Sequence, residues 1–245
     1  MLDFDKLRAS AVQKNEEAKT PQDIFNQLIQ DKYSYLRSYQ SEVLDEWYKN
    51  RYNQCNLIKM NTGAGKTLVG LLILLTLNNE HHGKMLYVVP DKYLETQVKK
   101  EAEKLKIEIA TDENDRTYLS GESILVINIC KLVNGMSVFG VNSKNIKTAD
   151  YILFDDAHAC LKKIKEQYTL TISNTSLLYK QLFNLFEPSL KEESIGTYQQ
   201  IKQNDPLSCM RIPFYSWIDN IDEVTRVLAE NRNEESCRFS YPLIQ

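Results

Sequence analysis

The chain has 245 residues, of which 42% are hydrophobic and 26% are charged, and its formal net charge at pH 7 is -3. This composition is typical of a folded globular protein and argues against intrinsic disorder and against a fibrous repeat. The length allows one large domain with a buried core, or a domain and a half. A near-neutral charge excludes a strongly basic nucleic-acid binder, so any contact with nucleic acid has to be local.

The sequence predicts a cytoplasmic protein without membrane spans, disulfides or a structural metal. The longest strongly apolar stretch, 68–77, is about half as long as a bilayer span. The first residues lack the basic and apolar regions of a secretory signal. The five cysteines are widely spaced without a CxxC pair, and His81 and His82 lie together in a polar turn.

Two helices are predicted before the first glycine-rich turn. Apolar residues recur at helical spacing over 24–29, and Thr20 followed by Pro21 is typical of a helix start. The second helix follows Ser38 and carries its apolar residues on one face.

Short apolar runs alternate with helical segments through the middle of the chain. Strands are predicted at 56–60, 85–89, 107–110, 124–127 and 151–154, with helices at 68–77 and 92–105. Continuous apolar strands separated by helices indicate an α/β fold with a mostly parallel sheet and helices on both faces. Beyond Cys160 the order is less clear, with helices expected at 177–185 and 213–228 and a polar stretch at 191–205.

The strongest motif is Thr62-Gly63-Ala64-Gly65-Lys66-Thr67, which lies between a predicted strand and a helix. Two glycines let backbone N–H groups curl around phosphate oxygens, and the helix N-terminus adds partial positive charge. In such a loop the lysine reaches the β- and γ-phosphates of ATP and the threonine hydroxyl binds Mg²⁺. The strict pattern has a glycine where Met60 stands. A glycine turn that happens to end in Lys-Thr is the alternative.

A second motif, Asp155-Asp156-Ala157-His158, directly follows the predicted strand at 151–154. A carboxylate at the end of a parallel strand lies at the same sheet edge as the phosphate loop, so Asp155 can face the magnesium there. Asp156 can then orient water. A helix cap or a surface acidic pair is the alternative for these aspartates, and an ordinary helix-start residue is the alternative for His158.

Together the two motifs resemble motifs I and II of the superfamily 2 helicases, the DEAD/DEAH-box group, and specifically their first RecA-like domain. The resemblance implies a P-loop ATPase that uses ATP and Mg²⁺ and acts on RNA or DNA, with His158 coupling nucleotide to the rest of the protein. The sequence departs from the family at two positions. Met60 stands where the first motif usually has a small residue, and Asp156 stands where the second motif has glutamate. Slow or conditional hydrolysis is therefore expected.

Weaker stretches extend the resemblance. Arg37 and Gln40 lie in a segment similar to the one that reads adenine in this family, although a surface glutamine is the alternative. The segment 88–97 is similar to motif Ia, where Lys92 could contact a nucleic-acid backbone, and 124–128 with Lys131 resembles the strand and loop before motif Ib. The charge run at 99–104 is interpreted as a solvated helix face.

The family's third motif and second RecA-like domain are not found in the sequence, so the chain is expected to lack half of the motor. The predicted organisation is a helical extension at 1–33, the ATP-binding domain at 34–180 and a mostly helical addition at 181–245. The main hypothesis is a helicase-type ATPase module. A non-catalytic nucleotide-binding switch or scaffold is the alternative, and a small-molecule P-loop kinase ranks below both.

Overall fold

The computed structural model describes residues 19–28, 35–140, 146–234 and 236–244. The chain divides into two compact units. The first comprises 1–132 and 147–161, and the second comprises 133–146 and 162–245. Most of the predicted N-terminal extension, and Ile29 of its predicted helical pattern, lie outside the described residues.

The first unit is an α/β layer structure. Its elements are α1 (Pro21–Gln27), α2 (Ser38–Lys49), α3 (Lys66–His81), β1 (Met85–Val89), α4 (Lys92–Lys104), α5 (Arg116–Leu119), β2 (Ile124–Asn128), α6 (Ile129–Leu132), β3 (Tyr151–Phe154) and the start of α7 (Ala157–Gln167). Helices and parallel strands alternate, which confirms the predicted fold class.

The sheet has three parallel strands in the order β2-β1-β3. The central strand β1 is fully buried, and its Tyr87 lies opposite Val126 on β2 and Leu153 on β3. A central strand of a parallel sheet is covered on both faces, which explains the continuous apolar run. Parallel pairing also brings the carboxyl ends of β1 and β3 to the same edge.

The predicted start of α1 and the predicted burial of α3 are confirmed. Thr20 and Asp23 form a capping box at α1, in which each side chain accepts from the other residue's backbone N–H at 3.2 and 3.0 Å. The apolar helix α3 is buried along residues 68–74 and packs within the core of the first unit. Its length and all-round hydrophobicity reflect burial rather than a membrane span.

The predicted strand at 56–60 is wrong. These residues have no strand pairing, and Leu57 is 90% exposed. Only Leu57, Ile58 and Met60 of the five are apolar, so the run offers little surface to bury. A strand also needs a partner with unpaired backbone groups, and the pattern of one segment does not reveal whether it has one.

The predicted strand at 107–110 is reduced to a single bridge. Ile109 pairs in parallel with Ile124, and the Ala110 N–H donates to the Ile124 carbonyl at 3.0 Å. The segment leaves α4 through Lys106, whose φ is +53°. The sharp change of direction leaves few residues in register beside β2.

The second unit is helical in its described part. It contains the end of α7, α8 (Leu177–Glu193), α9 (Ile195–Lys202), α10 (Phe214–Asp219), α11 (Ile221–Glu230) and α12 (Tyr241–Ile244). Its core includes Leu178, Phe186, Tyr198 and Val227. The polar stretch expected at 191–205 contains α9, because Ser194 caps a new helix by accepting from the Thr197 N–H. The helix expected at 213–228 is two helices that meet at Asn220.

Candidate nucleotide-binding site

The glycine-rich loop turns sharply into α3. Gly63 and Gly65 have φ values of +78° and +76°, a region that residues with a Cβ rarely adopt. The Ala64 N–H donates to the Asn61 carbonyl at 3.2 Å, which closes the turn. Gly65 is the N-cap of α3, so the first N–H groups of this helix have no intrahelical acceptor. The loop therefore has the chemistry of an anion site.

Gln40 is bonded to this loop rather than exposed to solvent. Its Nε2 donates to the Ala64 carbonyl at 3.0 Å, and its Oε1 accepts from the Arg37 backbone N–H at 3.0 Å. The side chain is buried, and a Cβ on Gly65 would overlap its amide. Gln40 thus connects the start of α2 to the phosphate loop. The Arg37 guanidinium donates to the Tyr39 hydroxyl at 2.9 Å.

Asp155 lies directly beyond β3. Its N–H donates to the Val88 carbonyl at 2.8 Å, which continues the strand ladder by one residue. Its half-buried carboxylate accepts from the Tyr87 hydroxyl at 3.2 Å. Burial raises the pKa of Asp155, while the Tyr87 hydrogen bond and the charge of Lys66 act to lower it. Lys66 and Asp155 are therefore close enough to interact electrostatically.

The Tyr87 hydroxyl donates to Asp155 and lies near the Thr67 side chain. Burial, with the Asp155 charge second, raises the pKa of Tyr87 well above its usual value, so the phenol keeps its proton. The structure thereby brings Lys66, Thr67 and Asp155 together around the end of β1.

Asp156 has a second structural role at the start of α7. Its φ is +50°, and its Oδ1 accepts from the Ala159 N–H at 3.2 Å. The carboxylate is exposed, and its second oxygen is not used by this cap. His158 is exposed in the first turn of α7, and no contact of its side chain with the loop is seen in the described residues. The geometry supports the helix cap that the sequence offered as the alternative for Asp156.

The loop borders two clefts of the first unit. The larger, of about 490 Å³, is lined by Gly63, Gly65 and Thr67 together with Tyr35, Arg37, Gln40 and the α4 side chains of Tyr93, Gln97, Lys100 and Lys104. The smaller, of about 370 Å³, runs past Thr62 and Ala64 and reaches Tyr39 and Val43. Both are large enough for part of a nucleotide.

Sequence reasoning missed two parts of this site. Tyr87 was hidden in an apolar run, although a buried tyrosine hydroxyl usually has a polar partner. Lys100 and Lys104 belong to the charge run that was interpreted as solvated; both are exposed, and both also line the larger cleft. The mixed charges of this run do not predict that the two lysines border a cleft, because their position depends on how α4 packs beside the loop.

The oxygen chemistry around Tyr87 suits a hard cation. Thr67 contributes a hydroxyl and Asp155 a half-buried carboxylate, and such oxygens are the ligands that Mg²⁺ prefers. Among the described residues, no group of three or more His, Cys, Asp or Glu side chains could hold a metal alone. The five cysteines are free thiols. In the described part of the chain no helix is long and apolar enough to cross a membrane.

Comparison with known proteins identifies the family. The family model described as "Type III restriction enzyme, res subunit" (ResIII) matches residues 34–188, more than half of the chain. This family is a superfamily 2 helicase N-terminal ATPase domain, and the parallel sheet flanked by helices agrees with its RecA-like fold. Neither the curated proteins nor the solved structures gave a match. The chain therefore belongs to the ResIII family and contains a helicase-type, nucleotide-binding ATPase domain.

Proposed function

We propose that this chain is an ATP-binding, Mg²⁺-dependent ATP-hydrolysing module of a DEAD/DEAH-type helicase. Family membership supports the coarser statement, a helicase-family module that binds nucleotide and acts on nucleic acid. The observation that supports the finer one is the position of Asp155 directly beyond β3, where its half-buried carboxylate accepts from the Tyr87 hydroxyl and interacts with the charge of Lys66. The proposed ATP-binding domain covers 34–180, between the extension at 1–33 and the addition at 181–245.

The phosphate loop is proposed to hold the triphosphate. N–H groups of the loop and of the first turn of α3 donate to phosphate oxygens, helped by the partial charge of the helix N-terminus. Lys66 places its ammonium against the β- and γ-phosphates, and this charge offsets the negative charge that develops during transfer. Thr62 and Ala64 line the turn.

Thr67 and Asp155 are the proposed holders of Mg²⁺. When bound, the ion supplies positive charge that neutralises the phosphate oxygens. Asp156 orients the attacking water through the carboxylate oxygen that does not cap α7. His158, in the same turn, is proposed to pass the nucleotide state to the rest of the protein.

Gln40 and Arg37 are proposed to contact the nucleotide base. Gln40 has one amide hydrogen left after its bond to Ala64, and its oxygen already accepts from Arg37. It can therefore donate once to a base edge while it keeps the loop in place. Nucleic acid is proposed to contact a local surface at the start of α4, where Lys92 is exposed.

Nucleotide binding tests this proposal. We expect isothermal titration calorimetry with a non-hydrolysable ATP analogue to show binding that Lys66→Ala weakens at least about tenfold, because a charge-assisted contact is lost. Lys49→Ala, at an exposed lysine of α2, should bind as the wild type does. Equal affinity of wild type and Lys66→Ala would contradict the assignment of the loop.

The capping role of Asp156 favours one alternative, a nucleotide-binding switch without turnover. In this alternative the carboxylate serves only α7, to which it is already bonded. Phosphate release from ATP with and without single-stranded RNA or DNA distinguishes the two functions. Binding without release in any condition would support the switch, and release that Asp156→Asn abolishes would support the ATPase. The cytoplasmic location stays a prediction from the sequence.

A further inference from the structure

The outer side of α10 carries large apolar residues of the kind that globular proteins usually bury. Phe214 and Ile218 lie one turn apart on this short helix and are 79% and 54% exposed. At about 100° per residue, both lie about 160° around the helix from the buried Ser216. Together with the exposed Trp217 and with Ile221, which is 61% exposed at the start of α11, they form an apolar stripe with intervals of three, four and seven residues. An exposed apolar surface of this kind is typical of a contact with another molecule.

The apolar stripe is not the side of α10 that packs on the core of the second unit. The hydroxyls of Ser216 and Ser189 are hydrogen-bonded at 2.6 Å, and the Trp217 and Phe186 rings meet with their centroids 4.6 Å apart. These contacts hold α10 on α8 within the same compact unit. The opposite side of α10 is therefore exposed although the helix is already fixed in place.

The interruption at Asn220 explains why the apolar stripe is uncovered. One amphipathic helix is predicted over 213–228. Val224 and Leu228 of its second half are buried in the core of the second unit. Ile218 and Ile221, which the same pattern predicts to be buried beside them, are exposed. Because the helix is interrupted at Asn220, where φ is −111° and ψ is 14°, the two halves of the pattern do not share one face.

Carboxylates border the apolar stripe. Asp219 and Asp222 are exposed, and each directly follows a residue of the stripe. Glu192, at the end of α8, is also exposed and accepts from the Tyr215 hydroxyl at 3.4 Å, which places it beside α10. Among the described residues, none of these three carboxylates has an ion-pair partner. The border of the stripe is therefore negatively charged.

The basic residues of this region do not neutralise that charge. Lys191, next to Glu192, pairs with Glu187 at 2.8 Å. Arg226 of α11 pairs with two glutamates of its own helix. Arg211, which precedes α10, is exposed and contributes one positive charge against the three negative ones. The charge left for a partner is negative.

The chemistry of the apolar stripe determines which class of partner fits it. Nucleic acid and anionic membrane surfaces are disfavoured, because their phosphates would face the unpaired carboxylates. Addition of a β-strand is disfavoured as well, because the backbone groups of a helix are bonded within the helix. A second helix that carries an apolar stripe flanked by lysine or arginine matches both the apolar side chains and the charge.

We propose that the apolar stripe is a docking surface for a basic amphipathic helix of another protein. The inference does not depend on the proposed nucleotide site, whose residues belong to the first unit. Phe214 and Ile218 are the central apolar contacts, because they are the most directly opposed to the core side of α10. Asp219 and Asp222 pair with basic residues at the edge of the bound helix.

Binding of a designed peptide tests the proposal. The probe is a fluorescein-labelled helical peptide of leucine and lysine, with leucine at intervals of three, four and seven residues. Its binding to the whole chain is measured by fluorescence anisotropy, and we expect saturable binding. A matched peptide with glutamate in place of lysine should bind at least about tenfold more weakly, because like charges then meet at the border of the stripe.

Two double variants separate the apolar and the charged parts of the surface. Phe214→Ser combined with Ile218→Ser should weaken binding of the leucine-lysine peptide at least about tenfold, because two apolar contacts are lost. Asp219→Asn combined with Asp222→Asn should weaken it about three- to tenfold and reduce its dependence on salt concentration. Circular dichroism should show unchanged helix content in both, because all four side chains are exposed.

Leu207→Ser and Glu103→Gln are the matched controls. Leu207 is an exposed apolar residue of the second unit outside the apolar stripe, and Glu103 is an exposed carboxylate of α4. Both variants should bind the leucine-lysine peptide as the wild type does.

Three results with the peptides would each overturn the proposal. They are no saturable binding of the leucine-lysine peptide, equal affinity for both peptides, and unchanged affinity after Phe214→Ser combined with Ile218→Ser. Sedimentation velocity of the wild-type chain tests a different occupant, and we expect a monomer. A dimer that the same double variant dissociates would also overturn the proposal, because it would show that a second copy of this chain covers the stripe.

Discussion

Gly63 and Gly65 have almost the same φ but different surroundings. A Cβ on Gly63 would meet nothing within 4 Å, whereas a Cβ on Gly65 would overlap the Gln40 amide. We expect Gly63→Ala to lower the free energy of unfolding by about 1–2 kcal/mol, the cost of the left-handed backbone alone. Gly65→Ala should lower it by about 1–3 kcal/mol more, because of the overlap. Urea unfolding followed by circular dichroism measures the free energy of unfolding of both variants. Equal losses of stability would show that the Gln40 side chain moves aside without cost.

Asp156 caps α7 and is also proposed to orient water. A longer side chain should affect these two functions in opposite directions. Asp156→Glu extends the carboxylate toward the length usual in the resembled family, while glutamate is a poor N-cap. We expect phosphate release from ATP to rise about tenfold, a part of the ~10²- to 10⁴-fold that a well-placed base contributes. The free energy of unfolding should fall by about 0.5–2 kcal/mol through the lost cap.

Asp156→Asn is the opposite control for the same residue. Asparagine caps helices as well as aspartate does, so the free energy of unfolding should stay close to that of the wild type while phosphate release is lost. Faster release by Asp156→Asn than by the wild type would contradict the role proposed for the carboxylate.

The sequence predicted a nucleotide site from the two motifs, because the chemistry of Lys66, Thr67 and Asp155 is set by neighbours along the chain, and their roles stay predictions. Gln40 was predicted to read the base, and its bond to the Ala64 carbonyl depends on three-dimensional packing. Tyr87 was missed because its role depends on β1 lying beside β3 and on Gly70 leaving space.

At the scale of elements, α3 and α9 each contain one glycine, and the same substitution should have opposite effects. A Cβ on Gly70 of α3 would press on Tyr87, whereas a Cβ on Gly196 of α9 meets nothing within 4 Å. We expect Gly70→Ala to lower the free energy of unfolding by about 1–3 kcal/mol. Gly196→Ala should raise it by about 0.5–1 kcal/mol, because alanine favours the helix. Chemical unfolding of both variants checks this, and a stabilised Gly70→Ala would contradict the packing of Tyr87.

The short helix α5 should make stability depend on pH through Asp115. The carboxylate accepts from the Thr111 and Thr117 backbone N–H groups at 2.9 and 3.1 Å. These bonds lower the pKa of Asp115 from 3.8 to about 2. Because the folded-state pKa is lower than the unfolded one, the stabilisation is present above about pH 4 and is lost as the pH falls toward 2.

Asp115→Asn tests this linkage. Thermal unfolding at neutral pH should show the variant to be less stable than the wild type. The difference should shrink between about pH 4 and pH 2, as the wild-type carboxylate becomes protonated. A difference that stayed constant over this range would show that the bonds do not depend on the charge of Asp115.

The strands show what a sequence pattern can establish. Periodicity found β1, β2 and β3, whose apolar runs are buried on both faces or paired. The strand prediction was wrong at 56–60 and too long at 107–110, because a strand needs a partner as well as a suitable side-chain pattern. In the second unit it found helices but not their ends, since α8 continues through Pro188.

At the scale of the whole molecule, family membership covers 34–188, and the phosphate loop and the aspartates all belong to the first compact unit. The second unit is helical in its described part and has its own core, and the sequence predicted helices but no function for it. The proposed catalytic groups come from one RecA-like domain. A single domain leaves the γ-phosphate open to water, so we expect turnover by residues 1–245 alone to be slow.

The most direct test of the central claim is magnesium-dependent phosphate release from ATP. The assay compares the chain, Lys66→Ala and Asp156→Asn, each with and without single-stranded RNA and DNA. We predict slow release that one of these nucleic acids stimulates and that both variants lose. ATP binding without release in every condition, or release that persists in both variants, would contradict the claim that this chain is a helicase-type ATPase.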